Sequence, residues 1–366
     1  MKKKLLALVC ALVMIFSLAS CGLSTPDTVG KVGDFEVSSG LYLLAQFSAY
    51  QQAAQLADKD QDTTDVKAFL KATITTDADS GETAVVQDYV ADKTLETLRT
   101  FAAIDARFAE LGGELTAEQT QAADNYAQQL MDQYGSTYTA NGIGLETLKA
   151  FERIQLKHTL LLTLVYGPDG ESPVDDSDLT EHLDSQMYEL AYVNIPLYNT
   201  STFVFASDDQ KAQMLQLAQA AAASCSETQD GSVSEQVSAL HSAASAALPD
   251  IYAVLGGTAD NTGPQTELLG SSTLDSTFTQ SGSADTIRNL AYGQAAAVQY
   301  SSYAMMLALR VDPLSVASLD DLRDQVITDM KTSELKTALS DYGASLENHL
   351  DTSAMNKLPM TKIVNK

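Results

Sequence analysis

The chain has 366 residues, with 22 lysines and arginines against 48 aspartates and glutamates and a formal net charge of −26 at pH 7. That acidity excludes recognition of nucleic acid or anionic lipid through a basic face. Three cysteines, Cys10, Cys21 and Cys225, exclude a disulfide scaffold.

The length and 45% hydrophobic residues support two domains with their own cores, and the lack of tryptophan, 7% aromatics and eight prolines fit a mainly helical body. At the front, Met1-Lys2-Lys3-Lys4 is a basic n-region, and Leu5 to Ala19 is an apolar and small-residue run. It is shorter than the roughly 20 apolar residues that cross a bilayer as a helix, so residues 1–20 read as an export signal. Ala19-Ser20-Cys21 resembles the bacterial lipoprotein signal, in which the cysteine is lipidated and the chain is cut before it. An ordinary secretory peptide cut elsewhere is the plainer alternative. Lipidation at Cys21 anchors the protein at the outer face of the membrane, with residues 21–28 as anchor and tether. Removal of the signal leaves 19 lysines and arginines against the 48 acids, and Cys225 as the one cysteine free of anchor and signal.

Val29 to Val37 alternates around a Gly33-Asp34 turn and predicts a tight hairpin. Ser38-Ser39 caps a helix from about Gly40 with Leu41, Leu44, Phe47 and Ala54 on one face. Asp58–Asp65 and Thr73–Thr83 read as polar breaks. Three amphipathic helices follow: about Val86 to Leu111, stopped by Gly112-Gly113; Thr116 to Gly135, opened by a capping box; and about Leu145 to Tyr166. Gly167 to Ser177 is a turn-rich hinge.

Asp178 to Tyr188 predicts a short helix and Leu190 to Leu197 an extended run. Asp208–Ser224 and Val233–Ala247 are helices rich in alanine, glutamine and serine, Gly256–Ser276 reads as a loop, and Ala284–Leu290 as a short helix or turn. Ala295 to Val311 holds two apolar runs around Ser301-Ser302. Ser318 then caps a helix whose Leu319, Leu322, Val326, Met330, Leu339, Tyr342 and Leu346 keep helical spacing over about eight turns. That stripe needs a partner surface, for which the N-terminal helices are the candidate.

Four histidines, His158, His182, His241 and His349, lack a second ligand at metal spacing, and no HExxH, CxxC, GxxxxGK[ST] or GxSxG motif occurs. No cofactor or metal site is read from the sequence.

The opening "VGKVGDFEVSSGLYL", a set of helices, a mixed insert from "YELAYVNIPL" and a long returning helix together resemble the SurA/PrsA-type peptidyl-prolyl isomerase foldases of bacteria. The best local likeness is "RNLAYGQAAAVQYSSYAMMLALRVDP", residues 288 to 313, which is similar to the C-terminal end of a parvulin domain, with Leu290 and Gly293 ahead of a strand. The resemblance implies an α+β, mainly α, fold. Residues 29–176 would form a helical SurA-N-like domain, 177–314 a degenerate parvulin-like domain, and 315–366 a C-terminal helix returning to the helical domain. It places Tyr192, Asn194, Phe278, Tyr303 and Met305 at the parvulin pocket. The family's two histidines are missing: Ala191-Tyr192-Val193-Asn194-Ile195 has none, and Ala304 follows Tyr303.

The leading reading is therefore a membrane-anchored, extracytoplasmic foldase or holdase that binds unfolded exported polypeptides without ATP, its isomerase activity lost. Candidate client-binding residues are Tyr42, Phe47, Tyr50, Tyr126 and Tyr134, with a core role as the alternative for each. Two other readings stay open: an active prolyl isomerase, and a surface lipoprotein binding a small solute or a partner protein. The sequence leaves oligomeric state and the role of Cys225 unassigned.

Overall fold

Gly33, at a φ of 55°, turns the chain between β1 (Thr28–Val32) and β2 (Phe35–Ser38), the antiparallel hairpin predicted from its alternation. The computed structural model describes residues 26–225, 230–258 and 263–365, so the leader, including Cys21, lies outside the described residues. Ser38 accepts from the Leu41 N–H at 3.2 Å and caps α1 (Ser39–Gln55). The stretch between the first two long helices is not a plain break. Asp65 caps a turn of helix, α2 (Val66–Phe69), and Thr73–Thr83 supplies most of a second hairpin, β3 (Thr73–Asp77) with β4 (Glu82–Val85). Its β-branched Thr-Ile-Thr-Thr suits a pleated edge, and Ile74 reaches the core at 1% exposure.

The helices α3 (Val86–Glu110), α4 (Ala117–Ala140) and α5 (Leu145–Tyr166) follow as the spacing predicts. Thr116 and Gln119 form the reciprocal capping box of α4, which runs five residues past Gly135, since one interior glycine costs only about 1 kcal/mol. Tyr50, Phe69, Leu70, Ile74, Val86 and Val90 make a core cluster of this part.

The chain divides into two compact units. One is 1–164 together with 333–366, and the other is 165–332. The second unit is wider than the 177–314 that the resemblance implies: it holds α6 (Asp176–Gln186), as expected, and also the stretch from Val165 ahead of that helix and the start of the returning helix to Thr332. Its sheet contains β5 (Met187–Pro196), β6 (Gln265–Gly270), β7 (Ala295–Gln299) and β8 (Ala304–Val311) in the order β6-β5-β8-β7, all antiparallel. Helices α7 (Asp208–Cys225) and α8 (Val233–Ala253) cover one face. On the other lie α9 (Ser271–Thr277) and α10 (Ser283–Arg288). The stretch Gly256–Ser276, expected to be a loop, thus contains β6 and most of α9. Burial of Leu268, Leu269 and Leu274 overrides its glycine- and serine-rich composition. After the short α11 (Pro313–Val316), Ser318 accepts from the Asp321 N–H at 3.2 Å and opens α12 (Leu319–Ser345).

Residues 319–332 of α12 belong to the second unit and 333–345 to the first. Arg323 pairs with Asp176 at 2.8 Å and the Gln325 side chain donates to the Leu268 carbonyl at 2.9 Å. Farther along, Tyr342 donates to Glu110 at 2.5 Å. Beyond α12, β9 (Asn348–Leu350) adds antiparallel to β1 and closes the sheet β2-β1-β9. Then come α13 (Thr352–Met355) and an extended tail in which Asn141 exchanges two hydrogen bonds with the Val364 backbone, at 2.8 and 3.0 Å. Asn365 donates to the Thr63 carbonyl at 3.0 Å. Both ends of the described chain are therefore fastened into the same unit.

Candidate functional site

Alternation along β5 sends Ala191, Val193 and Ile195 toward α7 and α8, and Tyr188, Leu190 and Tyr192 to the opposite face. The five residues expected at a parvulin-like pocket divide accordingly. Tyr192 and Phe278 pack on the α9–α10 face, and Asn194 reaches the same side, where it accepts from Tyr300 OH at 2.9 Å. Met305 does not join them. It is fully buried beneath α7 and α8, because one step along a strand reverses the face, and the adjacent Met306 takes the α9–α10 side. Tyr303 precedes β8 and is 56% exposed.

The face that does assemble is Tyr192, Asn194, Phe278, Tyr300 and Met306. The Phe278 and Tyr300 rings are tilted with centroids 5.7 Å apart, and Tyr192 OH donates to Glu267 at 3.2 Å. Burial pushes the Tyr300 hydroxyl up from its ordinary pKa. The same is true of Tyr192, where the Glu267 charge adds to the effect. Both phenols are thus neutral hydrogen-bonding groups at physiological pH over an apolar floor. Tyr300 and Met306 escaped the sequence reading, although both stand within the stretch most similar to a parvulin end.

The candidate client-binding residues do not form one site. Tyr50 is fully buried, packs edge-on to Phe69 at 5.6 Å and donates to the Thr63 carbonyl at 2.7 Å, so it is a core residue rather than a binding surface. Phe47 packs partly buried against that cluster and lines a cavity of about 400 Å³ with Leu44, Tyr138 and Phe151. Tyr42 is half-buried, its hydroxyl accepting from Gln46 at 3.3 Å. Tyr126 and Tyr134 on α4 are 52% and 48% exposed.

A more pronounced exposure lies just past β5, in Leu197–Ala206, "LYNTSTFVFA". Phe203, Val204 and Phe205 are 72%, 64% and 64% exposed. Backbone hydrogen bonds close this segment into a hairpin. The Leu197 N–H donates to the Tyr303 carbonyl and the Ala206 N–H to the Leu197 carbonyl, both at 2.8 Å. The Asn199 N–H donates to Val204, and the Phe203 N–H to Asn199, at 2.9 and 2.7 Å.

The Asn199 side chain fixes the turn. It accepts from the N–H groups of Ser201 and Thr202 at 3.0 Å and donates to the Leu255 carbonyl at 3.0 Å. Phe203 sits at a φ of 58°, the left-handed region that bulky residues avoid at a cost on the order of 1–2 kcal/mol. Tyr198 lies between the two phenylalanines, stacked on Phe203 at 6.2 Å and tilted to Phe205 at 5.7 Å. This three-ring array has a legible signal in the sequence, an F-V-F triplet directly after the polar run N-T-S-T.

Cys225 is 1% exposed, and burial pushes its thiol up to about 11, which leaves it protonated and unreactive. Among the described residues no group of three or more His, Cys, Asp or Glu is placed to hold a metal ion, and no helix is long and apolar enough to cross a membrane.

The described residues define an α+β protein, mainly α. No protein-family model and no curated protein matches the chain. Among solved structures it is similar to the foldase protein PrsA from Streptococcus pneumoniae str. Canada MDR_19A, with 16% identity and a TM-score of 0.37, over 70% of this chain and 84% of that one. It is also similar to the foldase protein (PrsA) from Lactococcus lactis, with 12% identity and a TM-score of 0.32, over 91% of this chain and 98% of that one.

Proposed function

We propose that this chain is an extracytoplasmic folding helper, anchored through Cys21, that holds unfolded exported polypeptides without ATP. The observation that carries the reading is the 197–206 hairpin. A globular protein gains nothing in stability by fixing Phe203, Val204 and Phe205 in solvent, and contiguous exposed apolar groups mark interaction surfaces. The pairing of β5 with β8 in a four-stranded antiparallel sheet supports a parvulin-like unit within residues 165–332.

The pocket face of that unit is degenerate. The two positions where the resemblance implies imidazoles, within Ala191–Ile195 and at Ala304, carry none, and Tyr192, Asn194 and Tyr300 line the face as neutral groups, so isomerase activity is lost in this reading. A degenerate face still offers apolar and hydrogen-bonding contacts to a proline-containing segment.

The test is light scattering of a chemically denatured client diluted into buffer without nucleotide. Suppression near equimolar protein is expected, and unchanged aggregation at tenfold excess sinks the proposal. A proline-containing tetrapeptide assay run beside it should show the uncatalysed rate. Catalysis there would replace the lost-isomerase reading with an active enzyme. The anchor is tested separately by acyl-chain labelling, which Cys21→Ser should abolish.

A further inference from the structure

The exposed rings of the 197–206 hairpin belong to a unit of unusual charge. Residues 165–332 contain 23 aspartates and glutamates but only five lysines and arginines. All five cations are already engaged. Lys211 pairs with Asp208 at 3.2 Å, Arg288 with Asp275 and Asp285, and Arg323 with Asp176 and Asp320. Arg310 donates to the Leu290 carbonyl at 2.8 Å and lies over the Tyr188 and Tyr292 rings, and Lys331 lies over Tyr166. What the unit presents to a partner is a net excess of carboxylate, and two of its acids follow the apolar tip closely in sequence. Asp208 and Asp209, two and three residues beyond Ala206, are both exposed, and the Asp208 side chain is 99% accessible.

We infer that the hairpin tip binds extended polypeptide segments in which apolar residues alternate with lysine or arginine. The cation sits over the exposed faces of Phe203 or Phe205 and within reach of Asp208 and Asp209, while its apolar neighbours cover Val204 and Tyr303. Exposed aromatic faces attract ammonium and guanidinium groups, and do so more strongly where the surrounding field is negative. The same field repels an anionic bilayer, which makes a polypeptide the favoured occupant over a membrane surface. Rigidity helps in the same direction, because the ring array is held by Asn199 before the segment arrives and little ordering is left to be done on binding.

This inference deepens the proposed function by naming the client chemistry and the surface that meets it. The experiment is fluorescence anisotropy of labelled 12-residue peptides with the full chain at low and high salt. One peptide alternates leucine with arginine, a second replaces arginine by glutamine, and a third by glutamate. The arginine peptide should bind on the order of tenfold more tightly than the glutamate peptide, with the difference shrinking at 0.5 M salt. Phe203→Ser with Phe205→Ser should weaken arginine-peptide binding on the order of fivefold, and Asp208→Asn with Asp209→Asn about twofold.

Equal affinity for the three peptides, or unaltered binding by the serine variant, overturns the inference. So does a serine variant that instead loses recovery on vesicles of anionic phospholipid, which would assign the tip to a membrane. Aggregation suppression by the unaltered chain reads the proposed function independently. A chain that suppresses aggregation but shows no charge preference keeps the function and loses this inference.

Discussion

The unit closed by the two ends of the chain and the unit inserted between them treat charge and apolar surface differently. Residues 1–164 and 333–366 hold 17 lysines and arginines against 25 acids, whereas residues 165–332 hold five against 23. Large apolar side chains that the first unit leaves exposed are scattered, such as Tyr126 and Tyr134 on α4, and phenols tolerate a wet edge. The second unit exposes three consecutive apolar residues on a hairpin with its own hydrogen-bond scaffold and a left-handed phenylalanine. Scattered rings need no explanation beyond surface statistics. A contiguous and locally strained set does, which is why the hairpin rather than α4 is the stronger candidate surface.

The comparison breaks most severely if the first unit can be opened without disturbing the second. Gly30 has a φ of 117°, and a Cβ there would collide with the His349 carbonyl of β9. Gly30→Val is expected to cost about 3 kcal/mol or more, since it adds backbone strain to the loss of the β1–β9 pairing. Hydrogen exchange should show faster exchange in Asn348–Leu350 and in β1, with β5 and β8 unchanged. Protection retained in β9 would show that the closing strand is held by something other than this contact.

Next in size is a contrast within a few residues. Ile195 is 1% exposed beneath α7 and α8, and Ile195→Ala should cost about 2–5 kcal/mol. Phe205→Ala, ten residues on and 64% exposed, should stay within about 0.5 kcal/mol of the parent. Urea melts decide the matter, and a large loss from Phe205→Ala would make the tip part of the core. Asn199→Ala falls between them. It removes three hydrogen bonds at a site 8% exposed, so about 1–2 kcal/mol is expected, together with weaker client capture from a loosened ring array.

How much of this was legible in the sequence follows from what kind of signal each element leaves. The capping box at Thr116, the Gly33 turn and the stripes of α3 and α5 are local patterns, and they appear where the spacing puts them. The second hairpin at Thr73–Val85 and strand β6 are stabilised by burial of Ile74, Leu268 and Leu269 against distant residues, which polar flanking composition conceals. The residues of the α9–α10 face were legible only to within one step, since strand identity was readable while the register that sends Met306 rather than Met305 to that face depends on pairing with β5. Tyr50 shows the same limit in a helix, because its burial depends on Phe69 and the Thr63 carbonyl, both outside its own stretch.

The smallest expected effect sharpens the electrostatic side of the comparison. Glu189 on β5 is 6% exposed, and its carboxyl is held above the ordinary glutamate range by burial first and by the Glu267 charge second. In the folded chain it therefore binds a proton at pH values where the unfolded chain has released it. Stability contributed by this group is present below the unfolded pKa and falls as pH rises through the interval up to the folded value. Glu189→Gln removes the ionisable group, so the variant should melt a few degrees higher than the parent near pH 7.5, by about 2–4 °C per kcal/mol gained in a protein this large. The gap should narrow as pH falls through the ordinary glutamate value of 4.5, below which the parent carboxyl becomes protonated in both states. Melting curves of the two proteins across that range make the comparison. A gap that stays constant with pH would mean that the glutamine acts through packing, and that the crowding of carboxylates in residues 165–332 carries no penalty at this position.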